Sequence, residues 1–252
     1  MNPPTGIDLA PELVKKIEDL FSGKYKATDP KEEAQLRELA FWRWVAYEGY
    51  AGKSPIDFID HQRVFMTNCY AKTGWPINKY LDKSIFELGC GPLGMIEFIP
   101  GHKRHAFDPL NTYYSQLFQN FRSSNINYID QEAQIEEIEA ADLGISFNVL
   151  DHTEDADYWF NLFFSKIKFG GHFIFQVNTV KDGFDRTEEH KKMHPSPQTY
   201  EQIIKKIKKV SSQFSEDYRT TPSADNEFFF MAWGVRRKPN LWERIRNKKY
   251  FV

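Results

Sequence analysis

The stretch Phe86-Glu87-Leu88-Gly89-Cys90-Gly91-Pro92-Leu93-Gly94-Met95-Ile96 constrains this chain more than any other. A short apolar run ends in an acid, three glycines follow, and apolar residues then resume. That order predicts a buried strand, a sharp turn and a helix. Glycines let the backbone reverse through conformations that side chains oppose, and let it come close to a ligand. Gly89-x-Gly91-x-x-Gly94 alone satisfies the dinucleotide fingerprint, so the glycines leave the ligand open. Glu87 narrows the choice, because a carboxylate at the strand's end repels a diphosphate and suits an amino or sulfonium group. The structural alternative is that Glu87 caps the element that follows; a carboxylate closing a buried strand needs a partner in either case.

From Ser84 onward, short apolar runs alternate with helical segments, the pattern of a parallel sheet covered on both faces. Strands are expected over residues 84–88, 104–107, 127–129, 143–148 and 171–178, with helices over 111–122 and 156–168. A polar loop over 179–197 leads into an amphipathic helix over 198–210, with Lys205, Lys206, Lys208 and Lys209 on its wet side. The last two strands, 213–219 and 227–235, lie too close in sequence for a parallel crossover and form an antiparallel hairpin. Upstream, residues 9–73 carry no strand pattern. Leu13, Ile17, Leu20 and Phe21 recur at helical spacing, as do Leu36, Leu39, Ala40, Trp44 and Tyr47, and Asp29-Pro30 ahead of Glu32 and Glu33 is a helix start. The chain therefore divides into a helical N-terminal cap (1–80), an α/β domain (81–238) with seven strands, mostly parallel, and a basic C-terminal tail (239–252).

A length of 252 residues accommodates one principal core. The formal net charge of -2 gives no general attraction to a polyanion, which argues against a nucleic-acid coat. Cys69 and Cys90 cannot build a disulfide framework, no leader-like apolar run opens the chain, and a reducing cytoplasmic setting is expected. Cys90 has no metal-ligand companions around it in sequence, so no metal site is expected.

Asp108 closes the second strand in His105-Ala106-Phe107-Asp108-Pro109, where a carboxylate can accept both hydroxyls of a ribose. Nicotinamide enzymes and methyltransferases share that arrangement, and a plain turn residue before proline is the alternative. Phe147-Asn148-Val149-Leu150-Asp151-His152 ends the fourth strand in a polar turn, and Phe169-Gly170-Gly171-His172 turns into the fifth. As a set, these motifs resemble the class I (Rossmann-like) S-adenosylmethionine-dependent methyltransferase family across residues 84–178. The resemblance implies S-adenosyl-L-methionine as cofactor, with Glu87, Gly89 and Gly91 on its methionine part, Asp108 on the ribose, and Pro109 and Leu110 beside adenine. Asn148 would lie under the methionine end or serve only as a structural hydrogen-bonding residue. An acid after the third strand, Asp130 or Glu132, would meet the exocyclic amine. Pro92-Leu93 departs from the small residues usual in this loop and stiffens it.

Methyl transfer from a sulfonium is an in-line displacement, so the protein chiefly aligns the reactants and excludes water. A base is needed only where the acceptor must lose a proton. His194 and His152 rank first for that role, ahead of His190 and His61. Asp57, His61, Gln62 and Arg63, with Tyr47 and Tyr50, are lid candidates on the cap, the alternative being aromatic packing on the sheet. Asn2-Pro3-Pro4 opens the chain instead of ending the fourth strand, and no Pro-Cys pair occurs, so nucleic-acid methylation is disfavoured. The expected reaction is O-methylation of a small polar metabolite, such as a sugar or phosphorylated sugar serving as a surface-glycan precursor. N-methylation of a small molecule, a NAD-dependent oxidoreductase and a non-catalytic scaffold are the alternatives. Residues 236–251 hold seven basic residues against one acid, interleaved with aromatics, which suits peripheral contact with an anionic membrane or merely a solvated helix.

Overall fold

The computed structural model describes residues 2–184, 186–221 and 226–238; the basic tail after 238 lies outside them. Three helices come first: α1 (Pro11–Phe21), α2 (Pro30–Glu48) and α3 (Pro55–Ala71). Each begins with proline, whose fixed φ suits the first helical position. The Asp29 side chain accepts from the Lys31 amide at 2.9 Å, and the Ser54 side chain caps α3.

The sheet then builds from β1 (Ser84–Leu88), β2 (Lys103–Phe107), β3 (Asn127–Ile129), β4 (Ala141–Phe147), β5 (Ile167–Val180), β6 (Gln198–Thr199), β7 (Phe214–Thr220) and β8 (Glu227–Val235). Its order is β3-β2-β1-β4-β5-β8-β7, parallel through β5 and antiparallel over the final hairpin. Helices α4 (Asn111–Leu117), α5 (Glu132–Glu137), α6 (Ala156–Ser165), α7 (Glu188–Lys191) and α8 (Tyr200–Val210) fill the connections.

Successive residues of a strand face opposite sides of the sheet, and β5 shows the result. Phe173, Phe175 and Val177 join Phe160 and Phe163 of α6 and Ile203 and Ile207 of α8 in one core. Ile174, on the other face, joins Cys69 and Tyr70 of α3. A third cluster packs Ile17, Leu36, Leu39 and Ile59 from the N-terminal helices against Tyr114, Leu117 and Phe118 at α4.

The helix expected over 156–168 stops at Ser165, and β5 begins at Ile167 and runs to Val180, longer at both ends than the expected 171–178. Three further elements depart from the sequence expectation. The glycine loop leads into a single 3-10 turn, Met95–Glu97, and not into a helix; Pro100 restrains the residue before it and stops the helix from continuing. Helix α4 ends at Leu117 instead of near 122, because the N-terminal segment takes its last carbonyls. The Ile7 amide donates to Gln116 O at 2.8 Å and Thr5 Oγ1 to Leu117 O at 2.6 Å. Gly6 permits that approach, since a Cβ there would stand 2.2 Å from Gln116 O. Gln198 and Thr199 do not begin α8. They form β6, pairing in parallel with Thr179 and Val180, while Thr199 caps α8 reciprocally with Gln202.

Candidate functional site

The strand order reverses between β1 and β4, and the carboxyl ends of strands at such a point form the ligand crevice of an open α/β sheet. A cavity of about 1000 Å³ opens there. Its walls include Gly89, Gly91, Asp108, Pro109, Glu132, Asn148, His152, His190 and His194, and also Glu38, Phe41, Trp42, Tyr50, Phe58 and Gln62 from the N-terminal helices. Asp130 is absent from these walls and pairs with Thr112. Glu132 is the acid that reaches the cavity, accepting from Tyr158 Oη. His61 and Arg63 are exposed and, like Asp57 and Tyr47, do not line it.

Glu87 is fully buried, and both of its oxygens are engaged: Oε1 accepts from Met95 N at 3.0 Å and Oε2 from Ile96 N at 2.9 Å. The structural alternative therefore describes its visible contacts, although it also borders the cavity. Burial pushes its carboxyl up to about 8, against the opposing pull of the two amides. Gly89 and Gly91 both have positive φ, +67° and +56°. At Gly91 a Cβ would meet nothing within 4 Å, so the loop backbone is bare towards open space.

Asp108 accepts from Gly91 N and Leu110 N, each at 3.0 Å, which fixes the carboxylate across the base of the loop. Burial, followed by the charge of Glu38 on α2, raises it to about 7. Behind the loop, Asn111 Nδ2 donates to Ala106 O and Ile129 O and so ties β2 to β3. Its Oδ1 accepts from Arg122, whose guanidinium stacks 3.6 Å from the Tyr128 ring centre.

The end of β4 supplies the second half of the site. Asn148 has φ +53°, a left-handed conformation that asparagine tolerates better than most residues. Its Nδ2 lies 3.1 Å from His152 Nε2, while its buried Oδ1 has no partner among the described residues. Asp151 is 0% exposed and its Oδ2 lies 2.9 Å from His194 Nδ1 and 3.4 Å from an Arg186 nitrogen. Arg186 also pairs with Glu227 at 2.9 Å and donates to His194 O. Burial alone would raise Asp151, but His152, His194 and Arg186 outweigh it and hold the carboxyl at about 2. The His152 and His190 rings lie 4.2 and 4.6 Å from that of His194, so the turn after β4 and the segment after β5 bring three imidazoles to one wall. Burial, then the neighbouring His194 and Arg186, lower His190.

A carboxylate at His194 Nδ1 selects the tautomer that leaves the Nε2 lone pair free. The cavity thus combines an open glycine loop, an acid behind it, an unpartnered amide oxygen and an Asp–His pair. Sequence reading missed Asp151 as the anchor of that pair, and also Arg186 and Glu38. Gln176 and Asn178 of β5 line the cavity too, bonded to each other at 3.0 Å; polar residues in an otherwise apolar strand were the available signal.

No protein-family model and no curated protein matches the chain. Solved structures do. Phosphoethanolamine N-methyltransferase 2 of Haemonchus contortus, with phosphomonomethylethanolamine and S-adenosylhomocysteine, aligns with a TM-score of 0.60 and 14% identity over 85% of this chain and 61% of that one. Its S-adenosyl-L-methionine complex gives a TM-score of 0.59 at 13% identity, covering 84% and 61%. An O-methyltransferase family protein from Burkholderia thailandensis gives 0.52 at 12% identity, covering 84% and 72%. The chain spans about three fifths of the length of the Haemonchus enzyme. At these identities the likeness is one of fold, the class I methyltransferase fold, with its mostly parallel sheet and antiparallel final hairpin.

Proposed function

We propose that this chain, built on the class I methyltransferase fold, moves a methyl group from S-adenosyl-L-methionine to the oxygen of a small polar acceptor, with His194 as base. The observation that carries this reading is that one cavity holds both Gly91 and Asp108 on one side of the chemistry and the 2.9 Å Asp151–His194 pair on the other.

The residues fit the cofactor. Gly91 leaves room for a ligand against bare backbone, Asp108 keeps acceptor capacity for ribose hydroxyls, Glu132 borders the cavity for the adenine amine, and the unpartnered Asn148 Oδ1 suits a cationic amino group. When bound, S-adenosylmethionine supplies an electrophilic methyl on a sulfonium. A dinucleotide fits less well. Its diphosphate needs free amides at a helix start, whereas the Met95 and Ile96 amides already donate to Glu87 and no helix follows.

His194 Nδ1–H donates to Asp151, so Nε2 is the atom that takes the acceptor's proton. Asp151 then faces an imidazolium, and Arg186, bridging Asp151 and Glu227, keeps that carboxylate ionised and in position. His152 next to His194 is a further polar contact for the acceptor. Hydroxylated metabolites, sugars and phosphorylated sugars included, are the acceptor class that needs such a base.

A specific observation favours N-methylation as the second reading. Phe41, Trp42, Tyr50 and Phe58 line the cavity, and aromatic faces attract a cationic amine; the Haemonchus neighbour is by its printed name an N-methyltransferase. Calorimetry with S-adenosylmethionine and with NAD tests the donor, and binding of NAD alone would overturn it. Methyl transfer to panels of polyols and of small amines, with wild type and His194→Gln, separates the two acceptors. Amine methylation indifferent to His194 would replace the O-methylation reading.

A further inference from the structure

A second cavity, of about 280 Å³, lies at the other end of the sheet, where β1, β4 and β5 begin. Three lysines and a histidine line it, Lys79, Lys83, Lys168 and His172, against one carboxylate, Asp142. That carboxylate is already held by Ser84 N and Ser84 Oγ at 3.0 and 2.9 Å and by Lys168 Nζ at 3.0 Å. Lys79 and Lys83 make no ion pair among the described residues. The Lys79 ammonium instead stands 3.1 Å from His172 Nε2 and 4.6 Å from the Trp75 ring centre, held by an imidazole lone pair and an aromatic face. Tyr80, also in the wall, is 2% exposed, and its hydroxyl has no partner among the described residues. Burial, followed by the charges of Tyr70 and Asp142, raises that phenol. A buried hydroxyl without a partner is a standing cost to the fold, and a ligand that accepts from it removes the cost.

We propose that this cavity is a second ligand site, one that takes the phosphate of a phosphomonoester through Lys79, Lys83 and the Tyr80 hydroxyl. A phosphate dianion matches an excess of unpaired lysines, and its oxygens are strong acceptors for a phenol and an ammonium. At Gly170, in the same wall, a Cβ would meet nothing within 4 Å, so backbone approaches the space there as well. The phosphate has two sources, a soluble metabolite or a lipid headgroup. Ile77, Leu81 and Phe169 are 50%, 52% and 40% exposed around the lysines, and these apolar side chains are where a bilayer would add contacts.

The test uses the full chain and the variants Lys79→Met and Tyr80→Phe. Calorimetry with inorganic phosphate and with glycerol 3-phosphate reads the soluble source. Co-sedimentation with phosphatidylcholine vesicles, with and without phosphatidic acid, reads the headgroup. Wild type is expected to bind at least one probe, Lys79→Met about tenfold or more weakly and Tyr80→Phe several-fold more weakly. Without ligand, Tyr80→Phe should melt at or above the wild-type temperature, since it removes only an unpartnered hydroxyl. Adenosylhomocysteine binding in the larger cavity should be unchanged in both, which separates this site from the proposed methyl-transfer site. Failure of wild type to bind any probe, equal binding by wild type and both variants, or a lowered melting temperature in Tyr80→Phe would each overturn the proposal.

Discussion

Gly91→Ala separates the conformational role of the glycine loop from its role as a ligand surface. At φ +56° an L-residue costs about 1–2 kcal/mol relative to glycine, and no protein atom lies within 4 Å of the added methyl. The whole stability cost is then conformational, and for a chain of this size it lowers the melting temperature by roughly 2–4 °C per kcal/mol. Gly23→Ala is the matched control: φ +75°, likewise nothing within 4 Å, and no part in the cavity. Both variants should melt below wild type by similar amounts. They should part in calorimetric titration with adenosylhomocysteine, where Gly23→Ala keeps wild-type affinity and Gly91→Ala loses about tenfold or more, the equivalent of about 1.4 kcal/mol. A Gly91→Ala protein that melts like Gly23→Ala yet binds like wild type would refute the reasoning, because the loop backbone would then not meet the ligand.

Replacing His194 with Gln should lower kcat by roughly 10²–10⁴ with little change in KM for a hydroxyl acceptor, measured by single-substrate kinetics; an unchanged kcat removes the base. Asp151, held at about 2 against an ordinary 3.8, stabilises the native state above about pH 4, and that contribution, about 2 kcal/mol, should disappear as pH falls through 2. Denaturant unfolding of wild type and Asp151→Asn at a series of acid pH values should accordingly converge towards pH 2. Asp108 carries the opposite shift. Raised to about 7 in the free protein, it should ionise when ribose hydroxyls donate to it, so affinity for S-adenosylmethionine should rise with pH up to about 7 and binding should release protons. Calorimetry in buffers of different ionisation heat reads that release directly.

The strands of the sheet were legible because buried parallel strands are written as compact apolar runs, and β1, β3 and β8 fall on the residues expected. Elements decided by distant partners were not. The early end of α4 depends on Thr5 and Ile7, more than a hundred residues upstream. The two-residue β6 exists only because β4 has ended and left an edge of β5 open. In the site, the glycine loop, Asp108 and Asn148 announce themselves through local motifs. Arg186 and Glu38 do not, since one sits in a non-periodic loop and the other on a cap helix among apolar neighbours. His194 was visible as a loop histidine, but its distinguishing feature, Asp151 across 43 residues of sequence, is tertiary.

Strand β5 is 14 residues long, roughly 45 Å of extended chain, and one of its faces serves both cavities: His172 borders the smaller, Ile174 packs in the core, and Gln176 and Asn178 border the larger. Even spacing keeps all four on that face. Inserting or deleting a single residue between 172 and 176 would exchange the faces downstream, burying Gln176 among the phenylalanines and turning Phe175 towards the polar cavity. Insertions and deletions should therefore be tolerated in the connections on either side of β5 and not in the strand itself.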